Sequence, residues 1–104
     1  MRSQRVEALE EIEADLRDAR LYYDSWRSDG SGYFKKHFDE TVAWIEWNPE
    51  VFPRKYRIFR RAIIRNTYFA IFYAIEADVT TIVAVVDMRR RPRTIRGLLT
   101  ARGR

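Results

Sequence analysis

YRIFRRAIIRNTYFAIFYAIEADVTTIVAVVDMRRRP, residues 56–92, decides the fold. It contains three runs rich in Ile, Val, Phe and Tyr, broken at Arg65-Asn66 and at Ala77-Asp78 and closed by arginines ahead of Pro92. Runs of this composition favour strands, and breaks this short suit hairpin turns, so the stretch predicts an antiparallel meander with a basic edge. Alternation through the first run puts Tyr56, Ile58, Arg60, Ala62 and Ile64 on one face and Arg57, Phe59, Arg61 and Ile63 on the other, with arginines on both sides of the sheet. The last run, Thr81 to Val86, is apolar without alternation. It reads as the central strand, covered on both faces.

Upstream of the meander the period changes. Ile12, Leu16, Ala19, Tyr23 and Trp26 recur at helical spacing from Glu11 onward, while Glu13, Arg17, Asp18 and Arg20 occupy other faces. Ser28-Asp29-Gly30-Ser31-Gly32 supplies turn chemistry, with Ser31 as the expected N-cap of a second helix over about 33–47. That helix carries Phe34, Phe38, Val42 and Ile45, and Pro49 and Pro53 end it. Two helices joined by so short a loop form an antiparallel hairpin. The hairpin holds more aromatic residues than two stripes can bury. Tyr22, Trp26, Phe34, Trp44 and Trp47 are candidates for a surface that meets another chain, the alternative being that all of them pack on the sheet. Arg5 to Leu9 reads by composition as the first turn of a helix, since residues 6–20 are rich in Ala, Leu and Glu. The tail after Thr94 has only Ile95, Leu98 and Leu99 as apolar anchors before Ala101, and is expected as a helical turn or a strand that frays at its end.

The chain has 104 residues, a length that suits one domain spanning 1–104: hairpin about 11–47, sheet about 54–88, basic segment 89–104. It is 46% hydrophobic and 14% aromatic, which excludes a disordered class. The net charge of +5 conceals a division. Residues 1–52 carry 7 basic and 12 acidic side chains, residues 53–104 carry 13 and 3. Seven arginines follow Met88 without an acid among them, more than solubility requires. A polyanion or an acidic protein is the implied partner. With no cysteine there is no disulfide framework or thiolate metal site, and the lone His37 reads as structural or exposed. The glycines at 30, 32, 97 and 103 have no phosphate-loop or dinucleotide spacing, and Ser25, Ser28 and Ser31 have no base to pair with. No cofactor, metal or small-molecule substrate is expected. Without a membrane-length apolar run or a signal-peptide core over Met1 to Glu13, the expected compartment is the cytoplasm.

What remains as chemistry is arginine: Arg60, Arg61, Arg89, Arg90, Arg91, Arg93 and Arg96 lie on strands or strand ends that a meander brings together. Guanidinium groups bind phosphate bidentately and stay charged at any physiological pH. Such a cluster can hold RNA or DNA, stabilise a phosphodiester transition state, or dock on an acidic protein.

In their order and spacing, Arg60-Arg61, Phe69-Ala70-Ile71-Phe72-Tyr73, Ile82-Val83-Ala84-Val85 and Arg89-Arg90-Arg91-Pro92 resemble the RelE/ParE superfamily of toxins from bacterial type II toxin–antitoxin modules. The likeness extends upstream through Val6-Glu7-Ala8-Leu9, Ala14-Asp15-Leu16, Tyr22-Tyr23 and Ile45 to Pro49. The chain departs from the pattern at Tyr68, where many relatives have Pro, at Asp87, where many have His, and at Arg91, where an acid is common. The resemblance implies an α+β fold: a short first strand at Arg5 to Leu9, the helical hairpin, and a three-stranded antiparallel meander packed on the helices. It also implies a toxin of plasmid-stabilisation type, neutralised by an antitoxin. RelE-type members are ribosome-dependent mRNA endoribonucleases, with a basic residue three positions before the Tyr of the middle strand. Ala70 stands there, and no Tyr follows Pro92, although Arg90 matches another basic position. ParE-type members are not enzymes and poison DNA gyrase. The Arg-Arg-Arg-Pro-Arg ending is more similar to that branch, which makes the seven arginines target-binding and Tyr22, Trp26, Phe34, Trp44 and Trp47 antitoxin-binding. A basic nucleic-acid-binding module without toxic activity is the reading outside the family.

Overall fold

A computed structural model describes residues 5–103 of the chain. Met1 to Gln4 and Arg104, the ends of the expected 1–104 unit, lie outside the described residues. In chain order the elements are β1 (Arg5–Ala8), α1 (Glu11–Asp24), α2 (Gly30–Trp47), β2 (Arg54–Tyr56), β3 (Phe59–Ile63), β4 (Phe69–Glu76), β5 (Val79–Asp87) and α3 (Pro92–Gly103). They form an α+β fold around a five-stranded sheet ordered β1-β5-β4-β3-β2. None of the helices among the described residues is long and apolar enough to cross a membrane.

The meander is β3-β4-β5, antiparallel throughout, with Arg60 opposite Tyr73 and Phe72 opposite Ala84. Its turns fall at the two expected breaks, where Asn66 (φ 64°) and Ala77 (φ 56°) adopt the left-handed conformation that tight reversals need. Three expectations need correction. The sheet has five strands rather than four: the short first strand forms at Arg5–Ala8, pairing in parallel with β5 at one side of the meander, and the unexpected β2 adds to the other side. Residues 56–64 are not one strand: Arg57 (φ 53°) reverses the chain between β2 and β3. That turn moves Tyr56 off the face of Arg60 and Ala62 and stacks its ring on Phe59, centroids 6.4 Å apart. The central strand is β4, with β5 beside it.

β4 is central because both its faces are covered. Phe69, Ile71 and Tyr73 meet the α1/α2 hairpin, while Ala70, Phe72 and Ala74 meet α3. β5 is likewise covered on both faces. A register shift opposite Phe72 and Tyr73 leaves Val83 as an extra residue, so that Val83 and Ala84 both join the α3 side. In α1 the stripe Ile12, Ala19 and Tyr23 is buried as its spacing predicts, but Trp26 lies beyond the helix and is exposed. α2 begins at Gly30, not after Ser31. Ser31 instead donates from its backbone N and its Oγ to the Asp24 carboxylate (2.7 and 2.6 Å), tying the two helices together. Gly30 packs so closely on Tyr23 that an added Cβ would lie 2.1 Å from the Tyr23 backbone carbonyl, so the hairpin closes only with glycine there.

The tail is neither a single turn nor a strand but a helix of 12 residues, started by Pro92 and anchored by buried Ile95 and Leu99. A helix this short is marginal alone; burying those two side chains contributes roughly 1.5–3 kcal/mol each. A second anchor is ionic. Arg102 makes a bidentate pair with Asp15 of α1 (2.6 and 3.0 Å) and donates to the Val83 carbonyl at the β5 irregularity, while Asp15 accepts from the Val85 N–H (2.9 Å). The pair raises the pKa of Arg102 through its hydrogen bond to Asp15.

Candidate cationic groove

With α3 held over one face of the sheet, a groove of about 170 Å³ remains between its first turns and the β2-β3 end. Its floor is Phe72, Met88, Ile95 and Leu99, and its cations are Lys55 from β2, Arg61 from β3, Arg90 after β5 and Arg96 from α3. None of the described lining residues is acidic, so nothing within the groove neutralises these charges. A phosphate entering it meets four cationic donors above an apolar floor, which lowers the local dielectric and strengthens each contact.

Tyr56 lies at the same wall. Its hydroxyl is 3.3 Å from Thr100 Oγ1 on α3, and its phenol is held below the ordinary tyrosine value, first by that hydrogen bond and then by the charges of Arg57 and Arg96. It is a group in the groove that can give or take a proton.

The seven arginines singled out from the sequence do not form one concavity. Arg61, Arg90 and Arg96 line the groove. Arg60 projects to the opposite face and donates to the carbonyls of Phe52 (2.6 Å) and Glu50 (3.3 Å), bracing the loop after α2. Beside it the buried Tyr73 donates to the Pro49 carbonyl, and burial pushes its phenol up to about 12. Arg89 also turns away from the groove. It pairs with Asp87 (2.7 Å), donates to the Tyr22 hydroxyl (3.1 Å) and lies over the rings of Tyr68 (4.2 Å) and Tyr22 (4.9 Å). This contact holds the Asp87 carboxyl below its usual range and raises Arg89. Arg91 and Arg93 are exposed around the start of α3, outside the groove lining. Lys55 and Tyr56 are additions that the sequence reading did not place at the site. Alternation does not mark them, since adjacent residues of a strand face opposite sides, and the reversal at Arg57 carries no turn chemistry that would show it.

The aromatic candidates also separate. Phe34, expected at the rim, is a core residue at 1% exposure, stacked on Tyr23 at 5.8 Å. Tyr22 is half-buried under Arg89, and Trp26 is exposed against the Tyr23 ring. Trp44 and Trp47, each 53% exposed, meet edge to face at 5.6 Å on the outer surface of α2, with Ala43 and Glu40 beside them. Among the described residues no group of three or more His, Cys, Asp or Glu is placed to hold a metal ion.

The fold has known counterparts. A chain from a solved structure described as "Chromosomal ParDE TA system from P. aeruginosa" superposes with a TM-score of 0.62 over 82% of this chain and 96% of that one, at 13% identity. The fold is therefore RelE/ParE-like, as the resemblance implied, and at that identity the likeness is one of fold. No family model matches the sequence, and no curated protein matches it.

Proposed function

We propose that the chain is the toxin of a two-protein toxin–antitoxin module, held inactive by an acidic antitoxin and arresting growth in the cytoplasm by poisoning DNA gyrase. The observation that carries this reading is the groove itself: four unneutralised cations on the fold shared with the chain of the ParDE system, with neither a histidine nor a carboxylate among the described lining residues. Arginine and lysine at these positions suit the phosphate backbone of DNA held by an enzyme, and Ala70 leaves the middle strand without the cation expected of a ribonuclease of this kind.

Tyr56 favours a second reading. In its ionised form, which the lowered pKa favours, the Tyr56 phenolate beside Arg61, Arg90 and Arg96 would accept the proton of a ribose 2′-hydroxyl while the guanidinium groups stabilise the developing charge, which would make the chain an mRNA endoribonuclease. One experiment separates the two. Purified chain is added to gyrase with plasmid DNA and, separately, to ribosome-bound mRNA, and each is scored for cleaved product. Trapped cleaved DNA with intact mRNA is expected. New mRNA ends that disappear with Tyr56→Phe, with gyrase unaffected, would reverse the assignment. Inactivity in both would favour a non-toxic nucleic-acid-binding module.

A further inference from the structure

The tip of the β2–β3 hairpin goes against the chemistry of its own turn. Tyr56 pairs with Phe59, so Arg57 and Ile58 alone make the reversal, and Arg57 takes a left-handed backbone angle (φ 53°). Glycine, asparagine and aspartate adopt that conformation readily, whereas arginine is strained in it, and isoleucine is a poor turn residue. Neither side chain offsets the strain by packing into the core. Arg57 is exposed, with its guanidinium over the Tyr56 ring (5.2 Å), and Ile58 is 50% exposed. Strain kept at an exposed tip, without gain in packing, marks side chains that act on something outside the chain.

The tip is firmly supported and cationic. Tyr56 stacks on Phe59 across the strand pair and its hydroxyl meets Thr100 of α3, while Gly103 lies so near the Phe59 ring that an added Cβ would stand 2.4 Å from it. The last turns of α3 therefore fix the base of the hairpin. Arg54, Lys55 and Arg57 surround Ile58, all of them exposed, and residues 51–75 contain no acid. Lys55 and Tyr56 also line the groove, so the tip and the groove share a wall.

An apolar residue at the end of a narrow cationic ribbon suits duplex DNA. Such a side chain enters between two base pairs from the minor groove, unstacking and kinking the step, while cations beside it hold the phosphates. Helical RNA offers instead a shallow groove lined by 2′-hydroxyls, to which isoleucine cannot hydrogen-bond. We infer that the β2–β3 hairpin is a DNA wedge: Ile58 inserts at a deformable step, and Arg54, Lys55 and Arg57 grip the adjoining phosphates. The inference rests on the reading above that DNA is the partner of the groove.

The test uses the purified chain and a duplex of about 20 base pairs with 2-aminopurine at a central T-A step, whose fluorescence rises on unstacking. The parent chain is expected to raise the fluorescence. Ile58→Ala is expected to lose that rise and to bind about tenfold more weakly with its salt dependence unchanged, whereas Arg57→Ala lowers the slope of log affinity against log salt by about one unit. Ile63→Ala, equally exposed at the far end of β3, is expected to behave as the parent, and circular dichroism melts confirm that the variants fold. Binding without a fluorescence rise, or an Ile58→Ala variant that unstacks the step as the parent does, overturns the inference; gyrase still trapped on cleaved DNA by those chains leaves the gyrase reading standing without it. Unstacking that depends on Ile58, in a chain without effect on gyrase, supports the inference and removes the gyrase reading instead. Binding to RNA of the same sequence but not to the duplex overturns the inference and removes DNA as the partner of the groove.

Discussion

Replacing Arg102 with Ala is expected to destabilise the chain by about 3–5 kcal/mol, the cost of leaving one member of a buried ion pair without its partner. The figure applies because Arg102 and Asp15 are only 14% and 13% exposed at their side chains, so water replaces the lost contact only in part. The variant leaves the Asp15 carboxylate with the Val85 N–H and the Val83 carbonyl without its donor. Against the roughly 5–15 kcal/mol typical of a whole domain this is a large fraction, and the midpoint of thermal unfolding is expected to fall by at least roughly 12 °C. Urea denaturation of Arg102→Ala, Asp15→Ala and the double variant completes a thermodynamic cycle. A coupling energy above about 2 kcal/mol, insensitive to salt, is expected of a pair shielded from solvent. Coupling below about 0.5 kcal/mol, or coupling that fades in high salt, would show that the pair behaves like a surface contact and would refute the assignment of Arg102 as the anchor of α3. Because Arg96 and Thr100 reach the groove from α3, the same variant is also expected to lose activity at temperatures where the sheet is still folded.

Other expectations follow from single contacts. Gly30→Ala forces a Cβ into the Tyr23 backbone and is expected to cost at least about 3 kcal/mol in denaturant melts, although Ala is the better helix former. Phe34→Ala is expected to cost about 3–5 kcal/mol, whereas Trp44→Ala should shift stability by less than about 1 kcal/mol and show its effect in antitoxin titrations instead. Arg89 lowers the Asp87 pKa in the folded state, so the contribution of the pair is fully present above the ordinary carboxyl value near 4 and is lost as the pH falls through the lowered one. Asp87→Asn should therefore melt lower than the parent at pH 6, by the equivalent of about 0.2–1 kcal/mol, with the two curves converging as the pH falls through the lowered value; a constant gap would show that charge is not the cause. Replacing Lys55, Arg61, Arg90 and Arg96 together with Ala is expected to abolish gyrase poisoning with little loss of stability, as followed by DNA cleavage and circular dichroism.

Much of the fold was legible because its signals are local. Asn66 and Ala77 sit at interruptions in β-rich runs, and the α1 stripe has a period that only a helix accommodates. What could not be read depended on single backbone angles or distant contacts. The reversal at Arg57 occurs at a residue with no turn chemistry, between Tyr56 and Ile58, which continue a strand pattern. The irregularity at Val83 changes which side chains share a face, and alternation counted from the sequence passes over it. α3 was obscured by its arginines. Pro92 followed by Ile95, Leu98 and Leu99 is a helical start and spacing, but its weight comes from Asp15, which lies far back in the sequence. The arginines looked like one cluster because they are close in sequence or on neighbouring strands; the structure divides them by the direction each strand end faces. Lys55 and Tyr56 enter the groove through the same unread turn.

The parallel pairing of β1 with β5 joins Arg5 to Val79, so an early strand to be made waits for almost the last. At a synthesis rate of about 5–20 residues per second, the interval is roughly 4–15 s, during which α1 has no β5 to cover its stripe. Native contacts so distant in sequence also slow the final closure. The growing polypeptide therefore spends its first seconds with Ile12, Leu16 and Tyr23 uncovered by β5, and it cannot assemble the groove until Arg96 has been added, near the end of translation. A neutralising partner of the kind proposed, if made beforehand, would have that interval in which to engage the hairpin before the groove exists.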